Sequence, residues 1–463
     1  MRLSEAARVL NAELRGADTE FTGVSTDSRT LARGDLFVAL KGERYDGHAY
    51  LAAVAAAGAA AAIVARGKAG TDAGCPLLLV DDPERALAAL AKDWRARFAL
   101  PLVALTGSNG KTTVKEMLAS ILRAAAGDAS RVLATQGNLN NHIGVPLTLL
   151  RLRASHRYAV VEMGMNHAGE IRHLTHLAAP DVALVINAGT AHIEFLGSRE
   201  AIAQAKGEIF EGLKADGTAV INADDVYAPL WRERAGTHRT LEFGLEQPAV
   251  VHATYRLRDF DSEIRLTTPL GSATAVVAAP GLHNVKNAVA ASAAAAALKL
   301  APGIIASGLA QFTGAQGRLQ RKAGAGGAIV IDDTYNANPD SARAAIGVLA
   351  AAPGTRVLVL GDMGELGQDG PALHAEIGET ARASGVERLY TLGALSARAT
   401  DAFGAGARHF ERVEDLVAAL LGTLGPDTTV LVKGSRFMRM ERVVDALVEG
   451  GEARGVRREG ETR

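Results

Sequence analysis

Residues 102–118 read LVALTGSNGKTTVKEML, and this stretch decides the fold class of the chain. An apolar run leads into a glycine-rich turn, after which a helix is predicted to begin near Thr112. Gly107 and Gly110 allow backbone N–H groups to turn inward around phosphate oxygens. Lys111 adds a positive charge, Thr112 offers a hydroxyl to Mg²⁺, and the helix points the positive end of its dipole at the anion. The stretch therefore predicts a phosphate-binding loop between a buried strand and a helix.

Three apolar runs that follow this loop end in polar residues, at 158–164 (YAVVEMG), 181–189 (DVALVINAG) and 217–225 (GTAVINADD). Buried parallel strands have this pattern, with functional groups at their carboxyl ends. Glu162 ends the first run, where a carboxylate can bind Mg²⁺ directly. A glutamate at a strand end is more often solvated or a cap, but its place after the phosphate-loop helix favours a metal ligand.

The strand–helix alternation begins again after Gly317, which predicts a second doubly wound sheet. Its strands are predicted within AIVIDDTYNANP (328–339), TRVLVLGDMGELG (355–367), RLYTLG (388–393) and TTVLVKGS (428–435). The first eighty or so residues contain short β-like pieces around an alanine-rich helix, and residues 81–98 form a new helix with an acidic, proline-bearing start. We therefore predict an α/β protein of three domains, at residues 1–83, 84–314 and 315–463.

Composition narrows the class of protein further. The chain has 463 residues, 48% of them apolar, and a net charge of −1, so no overall field attracts it to nucleic acid or to an anionic membrane. Cys75 is the single cysteine and can form no internal disulfide, so we interpret it as a small buried residue. The start MRLSEAARVL does not resemble a signal peptide, and the alanine-rich segments 50–65 and 288–301 are too weak and short to span a bilayer. We expect a cytoplasmic protein.

Residue patterns alone do not assign His192, in NAGTAHIEFLGS, or Lys206, in AIAQAKGEIF. A lone histidine is usually a hydrogen-bonded loop residue, and a lysine with apolar helical neighbours usually extends to the surface.

Nine motifs in one order resemble the Mur ligases over nearly the whole chain except its C-terminal tail. These are TGSNGKTT, VVEMG, GTAHIEFLGS, AKGEIF, GLHNVKNAVAA, GRLQ, DDTYNANPDS, GDMGELG and KGSRFMRME. The general P-loop pattern has glycine where this chain has Leu105, and the shorter TGSNGKTT is the form of Mur ligases and folylpolyglutamate synthetases. Residues 25–59 resemble a uridine-nucleotide domain of the family.

The resemblance implies a monomeric ATP-dependent ligase with a uridine-nucleotide domain, a P-loop ATPase domain and a C-terminal Rossmann-like domain. YNANPDS and GDMGELG resemble the family member that joins D-Ala-D-Ala to UDP-MurNAc-tripeptide, a reaction that the resemblance implies to proceed through an acyl phosphate. The absence of a DNPR segment disfavours the family member that adds the third amino acid as diaminopimelate. A folylpolyglutamate synthetase would not need the uridine domain. A nucleotide-binding regulator without ligase activity would have no need of Glu162, His192 and Lys206 together.

Site residues follow from the resemblance position by position. The expected ATP-binding residues are Gly107, Ser108, Asn109, Gly110, Lys111, Thr112, Thr113, Asn284, Asn287, Arg318 and, at the ribose, Asp333 or Asp332. The expected Mg²⁺ ligands are Thr112, Glu162, His192 and Lys206, the last carbamylated by CO₂; Lys111, His192 and Lys206 are the expected catalytic residues. The expected substrate-binding residues are Ser28, Arg29, Gly42, Asp46, His48, Asn138, Asn140, Asn141, Asn336, Asn338, Lys433, Ser435 and Arg436. Plainer alternatives remain for Asn284 as a helix cap, for Ser28 and Arg29 as a turn, and for Lys433 and Arg436 as a solvated surface turn.

Overall fold

The computed structural model describes residues 1–43, 45–68, 73–190 and 193–448. A five-stranded N-terminal sheet has the order β1-β5-β4-β3-β2, in which only the β1–β5 pair is antiparallel. Its elements are α1 (Leu3–Leu10), β1 (Glu13–Arg15), β2 (Gly23–Ser25), β3 (Asp35–Val38), α2 (Leu51–Ala56), β4 (Ala61–Ala65), β5 (Leu77–Val80) and α3 (Pro83–Ala96). The Asp82 side chain accepts from the N–H groups of Glu84 and Arg85, and Pro83 occupies the first turn, so α3 begins where the sequence predicts. One apolar cluster runs from this sheet through α3 to the central sheet, so the two share a core.

The central sheet has six parallel strands in the order β11-β10-β9-β6-β8-β7. Its elements are β6 (Leu102–Thr106), α4 (Lys111–Ala126), β7 (Val132–Ala134), α5 (Gly144–Leu150), β8 (Tyr158–Glu162), α6 (Glu170–Ala178), β9 (Val182–Val185), α7 (Ile193–Leu196), α8 (Arg199–Gly207), β10 (Thr218–Asn222), α9 (Ala228–Ala235) and β11 (Arg239–Phe243). Strand β6 lies between β8 and β9, so the crevice at its carboxyl end is a topological switch point, where such sheets bind ligands.

A three-stranded antiparallel sheet, which was not predicted from the sequence, shares an apolar cluster with the central sheet. It comprises β12 (His252–Leu257), β13 (Ser262–Thr268) and β14 (Gly271–Val277), followed by α10 (Leu282–Ala297) and α11 (Pro302–Ala310). Helices α10 and α11 pack on α4, and a Cβ at Gly308 would lie 2.3 Å from the Cα of Ile121. The alanine-rich composition of α10 permits this close packing in one apolar cluster.

The C-terminal sheet has six strands in the order β15-β16-β20-β17-β18-β19, all parallel except for the β15–β16 pair. Its elements are β15 (Gln320–Ala323), β16 (Ile329–Asp333), α12 (Pro339–Ala350), β17 (Thr355–Gly361), α13 (Gly370–Ala383), β18 (Arg388–Leu392), α14 (Ala397–Phe403), β19 (Ala407–Phe410), α15 (Val413–Leu421), β20 (Thr428–Lys433) and α16 (Glu441–Val448). The four predicted strands are β16, β17, β18 and β20; β15 and β19 at the edges were not predicted. The predicted α/β class with parallel sheets is confirmed.

Direct hydrogen bonds join the C-terminal sheet to the phosphate-loop side of the central sheet. Asn338 Nδ2 donates to Asn109 Oδ1 at 2.8 Å. Asp340 Oδ2 accepts from the backbone N and the hydroxyl of Thr190, at 3.0 and 2.9 Å. Among the described residues, no helix is long and apolar enough to cross a membrane. Cys75 is half-buried with a free thiol.

Candidate active site

The phosphate loop connects β6 to α4 and is held by the end of β9. Asn187 Oδ1 accepts from the N–H groups of Ser108 and Asn109, and its Nδ2 donates to Asn109 O at 3.0 Å. Gly110 has φ +84°, and a Cβ there would lie 2.3 Å from Asn287 Oδ1. Both the backbone conformation and the close approach of α10 therefore require glycine at 110.

Lys111 is the first residue of α4, and its ammonium turns back over the loop. Its Nζ donates to the carbonyl oxygens of Gly107 at 2.7 Å and Ser108 at 3.3 Å. Burial lowers the pKa of Lys111, and nearby Arg318 lowers it further, whereas Glu162 opposes the shift. An anion that entered the loop would offset the first two effects, so this site favours phosphate.

Glu162 ends β8 beside the loop, and its carboxylate is half satisfied. Its Oε1 accepts from Asn140 Nδ2 at 2.8 Å, and its backbone N donates to Thr135 Oγ1 at 2.9 Å. Its Oε2 is buried and has no hydrogen-bond partner. A buried carboxylate oxygen without a partner is unfavourable, and a divalent cation is the kind of group that would satisfy it.

Lys206 lies near the end of α8 and is 1% exposed. Burial and the charge of Lys111 lower the pKa of Lys206 well below its ordinary value. No carboxylate among the described residues opposes this shift, in contrast to Lys433, for which Asp333 does. The surface-lysine alternative is thus wrong, and His192 lies outside the described residues. No cluster of three or more His, Cys, Asp or Glu suited to a metal occurs in the described part of the chain.

A cleft of about 680 Å³ between the central and C-terminal sheets brings the phosphate loop and Glu162 together, whereas Lys206 does not line it. The central domain contributes Ser108, Lys111, Thr112 and Glu162, and the C-terminal domain contributes Arg318. Arg318 stacks on the ring of Tyr335, with 4.2 Å from its Cζ to the ring centroid, and its Nε is buried without a partner. Ser108 Oγ is likewise buried and unpartnered. The cleft therefore offers unsatisfied polar groups in a place that suits a phosphorylated ligand.

A second cavity of about 350 Å³ adjoins the cleft, and Gly110 and Arg318 line both. Its walls include Asn284 and Asn287 on α10, together with Asp333. A nucleotide whose base occupies this cavity would pass its phosphates between Gly110 and Arg318 into the cleft.

Side-chain contacts distinguish Asp332 from Asp333, and they show whether Asn284 caps a helix. Asp333 lines the second cavity, whereas Asp332 accepts from Thr334 and pairs with Lys322 at 2.8 Å. Asn284 Nδ2 donates to the carbonyl of Pro280 rather than capping α10, which has no side-chain cap.

The C-terminal candidates have different surroundings. Lys433 is 2% exposed and its Nζ donates to Asp333 Oδ2 at 2.5 Å, so the solvated-turn alternative is wrong for it. Ser435 Oγ links the carbonyl of Ala337 to the N–H of Gly364 at the cleft wall. Arg436 is 64% exposed and pairs with Glu441 at the cleft edge.

The asparagines predicted to bind substrate all line the cleft, but most have structural partners. Asn141 Oδ1 accepts from the first N–H groups of α5, Asn336 Oδ1 accepts from the N–H of Ala337, and Asn338 caps α12. Asn138 contributes its carbonyl to the N–H of Asn140 at 2.7 Å.

The predicted N-terminal candidates do not line either cavity. His48 accepts from Ala65 N through Nε2 and contacts Asp46 Oδ1 at 2.6 Å through Nδ1. Gly42 closes a turn by donating to Tyr45 O, and exposed Arg29 pairs with Asp27, which lowers the pKa of that carboxyl to about 2. Ser28 is half-buried beside this pair.

Four further site residues escaped the sequence analysis, namely Asn187, Thr190, Tyr335 and Asp340. Asn187 and Thr190 follow β9, so the rule that polar groups cluster at the carboxyl ends of parallel strands identifies their region. Tyr335 and Asp340 lie within the quoted motif DDTYNANPDS. Only their spatial contacts reveal their roles.

Comparison with known proteins extends over nearly the whole chain. Three family models match: "Mur ligase family, catalytic domain" at 20–95, "Mur ligase middle domain" at 105–295 and "Mur ligase, glutamate ligase domain" at 317–436. The chain is 42% identical over 456 residues to the UDP-N-acetylmuramoyl-tripeptide–D-alanyl-D-alanine ligase of Escherichia coli (strain K12), covering 97% of this chain and 98% of that one. It is similar to the crystal structure of MurF from Acinetobacter baumannii, with 38% identity, a TM-score of 0.88 and coverage of 96% and 98%. The MurF ligase from Thermotoga maritima in complex with ADP matches with 28% identity, a TM-score of 0.81 and coverage of 94% and 98%.

Proposed function

The chain belongs to the Mur ligase family, and from that premise we propose that it joins D-Ala-D-Ala to UDP-MurNAc-tripeptide. The products are UDP-MurNAc-pentapeptide, ADP and phosphate. The observation that carries this proposal is the cleft in which Lys111, Glu162 and Arg318 face one space from two domains. The printed activity of the Escherichia coli relative, matched over 97% of this chain, supports the choice of substrates.

The reaction needs an activated carboxyl group. The terminal carboxylate of the tripeptide attacks the γ-phosphate of ATP, and the products of this step are an acyl phosphate and ADP. The amine of D-Ala-D-Ala then attacks the acyl carbon, loses a proton and expels phosphate. Lys111 and Arg318 offset the negative charge that gathers at the γ-phosphate. Closure of the domains excludes water, which would otherwise hydrolyse the acyl phosphate.

Glu162 and Thr112 fit Mg²⁺, because Oε2 of Glu162 is a buried oxygen without a partner at the cleft. Bound Mg²⁺ would supply Lewis-acid stabilisation of phosphate charge. We assign His192 and Lys206 to a second metal site. The burial and lowered pKa of Lys206 support a neutral amine, which can add CO₂ and lose a proton to give a carbamate oxygen ligand.

The adjoining cavity is the proposed adenosine site. Asn284 and Asn287 lie on the base side, Asp333 is the ribose candidate rather than Asp332, and Arg318 is positioned for the phosphates. Gly107, Ser108, Asn109, Gly110 and Thr113 complete the proposed ATP contacts.

The remaining assignments stay proposals. The uridine nucleotide would bind in the N-terminal domain, which lies beside the central domain. Its proposed contacts there are Ser28, Arg29, Gly42, Asp46 and His48. The asparagines Asn138, Asn140, Asn141, Asn336 and Asn338, with Lys433, Ser435 and Arg436, would surround the rest of the substrates as the domains close. We propose domain bounds of 1–83, 84–314 and 315–463, a monomer, and a cytoplasmic location where ATP and nucleotide-linked precursors are available.

The test is phosphate release from ATP with Mg²⁺ and bicarbonate, with UDP-MurNAc-tripeptide alone, D-Ala-D-Ala alone, and both together. Release only with both, together with a pentapeptide product by mass spectrometry, is the expected result. Turnover with UDP-MurNAc-dipeptide and a free amino acid would instead assign the chain to the preceding ligation. ATP binding without turnover on any acceptor would favour a non-catalytic nucleotide-binding protein.

The variant Lys111→Ala is expected to abolish turnover, because it removes the ammonium that lies over the phosphate loop. The exposed Lys92 on α3 provides a control, and Lys92→Ala should leave turnover unchanged. Near-normal ligation by Lys111→Ala would contradict the proposed site.

A further inference from the structure

We propose that Asn140 is a positioning residue for the Glu162 carboxylate, and so for divalent cation binding, rather than primarily a contact for the muramoyl substrate. Asn140 Nδ2 donates to Glu162 Oε1 at 2.8 Å, while Oε2 is buried beside the cleft without a partner. The inference deepens the proposed function and rests on its assignment of Glu162 as a metal ligand.

The orientation of the Asn140 amide is fixed by chemistry. An ionised carboxylate only accepts hydrogen bonds, so the nitrogen of the amide must face Oε1. This bond holds one carboxylate oxygen and leaves the other available to a cation. Partners of this kind orient metal ligands elsewhere, and losing them weakens metal binding by about 10–100-fold.

The backbone of the same loop is attached to the same strand end. Asn140 O accepts from Gly164 N at 2.8 Å, two residues beyond Glu162. A Cβ at Gly164 would lie 3.0 Å from Asn140 Oδ1, so the glycine leaves room for the amide. Both the backbone and the side chain of Asn140 therefore fix the position of its loop relative to the end of β8.

The main chain of Glu162 is held independently of Asn140. Its N–H donates to Thr135 Oγ1 at 2.9 Å, and Thr135 O accepts from buried Lys115 Nζ at 2.8 Å. Because Lys115 is on α4, this chain ties the strand end to the phosphate-loop helix. Removing the Asn140 amide should consequently free the carboxylate to rotate while the backbone of Glu162 stays in place.

The competing account is that Asn140 binds the substrate, and the two accounts predict different results. If Asn140 contacts the muramoyl group, its loss raises KM for UDP-MurNAc-tripeptide and leaves metal affinity unchanged. If it positions Glu162, metal affinity falls even when no UDP-linked substrate is present.

The experiment measures the Kd of Mn²⁺, used as the probe, by electron paramagnetic resonance on full-length protein with saturating ADP. Asn140→Leu keeps the approximate shape and removes the donor, so we expect Mn²⁺ binding to weaken by about 10–100-fold. Asn140→Gln retains an amide donor and should recover part of the affinity. Asn138→Ala changes a neighbouring cleft residue that has no side-chain bond to Glu162, and should leave the Mn²⁺ Kd unchanged.

ADP affinity in EDTA and the circular dichroism spectrum serve as checks on folding and should match those of the wild type. A Mn²⁺ Kd for Asn140→Leu within twofold of the wild type would overturn the inference. If Asn140→Leu does not fold, the comparison of Asn140→Gln with Asn140→Ser decides. Asn140→Gln retains the amide donor, so the positioning role requires it to bind Mn²⁺ more tightly than Asn140→Ser does. Absence of Mn²⁺ binding by the wild type would instead overturn the metal assignment of Glu162, while ligase turnover tests the proposed function separately.

Discussion

Asp340 is expected to stabilise the closed arrangement of the domains, and replacing it by alanine should favour opening. Its Oδ2 accepts two hydrogen bonds from Thr190, across the junction between the C-terminal and central sheets. A Cβ at Gly189 would lie 2.7 Å from the same oxygen, so the two surfaces are in close contact. Asp340→Ala removes both bonds and the exposed pair of Oδ1 with Arg343 at 3.0 Å, and it leaves the Asn338 cap of α12 intact.

The magnitude follows from the burial of the carboxylate. Hydrogen bonds to charged groups contribute about 1.5–3 kcal/mol. The Asp340 side chain is 35% exposed, so water replaces part of the interaction, and we take about 1.5 kcal/mol for the pair of bonds. That free energy corresponds to a change of about tenfold in the closure equilibrium.

The assay compares kcat/KM for ATP and small-angle X-ray scattering for the wild type, Asp340→Ala and Asp415→Ala. Asp415 is an exposed acidic residue in the first turn of α15, so its variant removes a similar helix-terminal charge from another helix. We expect kcat/KM to fall by up to about tenfold, the limit reached when the open form predominates, and the radius of gyration to rise, only for Asp340→Ala. Equal kcat/KM for both variants and the wild type would refute the reasoning.

Lys433→Met leaves Asp333 as an unpaired buried carboxylate and should lower the unfolding free energy by about 3–5 kcal/mol in urea, whereas adding Asp333→Leu should restore most of it. Burial lowers the pKa of His283 to about 4 from 6.5, so its contribution to stability is complete above pH 6.5 and is lost as the pH falls towards 4. His283→Gln should therefore flatten the pH dependence of the urea midpoint in that window. On α11, Gly308→Ala should lower the free energy of unfolding by about 1–3 kcal/mol, because its Cβ would meet the backbone of α4. The control Gly303→Ala places a Cβ that meets nothing within 4 Å, so it should leave Tm unchanged or slightly raised.

A double variant no more stable than Lys433→Met would show that the lost stability does not come from the unpaired charge. An unchanged pH profile in His283→Gln would mean that other groups dominate acid unfolding. Equal melting temperatures for the two glycine variants would show that α11 can shift away from α4 without cost.

Local spacing was enough to predict the residues at the centre of the candidate site. The phosphate loop, Glu162 and the four main C-terminal strands each depend on residues close together in sequence. Parallel topology then places the carboxyl ends of strands at one edge, as the structure shows for β6, β8 and β9. The loop helix begins at Lys111 rather than Thr112, a one-residue difference at a helix end.

Long-range pairing could not be predicted in this way. Asn109 and Asn338 are 229 residues apart and meet only because two domains close on each other. Asn140 lies in a loop and Glu162 at the end of strand β8, and family resemblance alone suggested a substrate contact for Asn140. The edge strand β12, HATYRL, is largely exposed and shows no clear alternation of apolar residues, whereas the central strand β13 does alternate and could have been predicted. The burial of Lys433 at the end of β20 was not predicted, because a lysine at a strand end gives no local sign of its buried partner.

The proposed nucleotide pocket is built from both the central and the C-terminal domain. The central domain supplies Asn109 and Asn287 to the second cavity, while the C-terminal domain supplies Arg318 and Asp333. A nucleotide that contacts both halves must favour the closed state, so a change that favours opening weakens nucleotide binding in proportion to the closed population that is lost. Asp340→Ala should therefore raise KM for ATP as the closed population falls, because Asp340, which lines the second cavity, also binds Thr190 across the junction. A variant that opened the protein and bound ATP as tightly as the wild type would show that the nucleotide is held by the central domain alone.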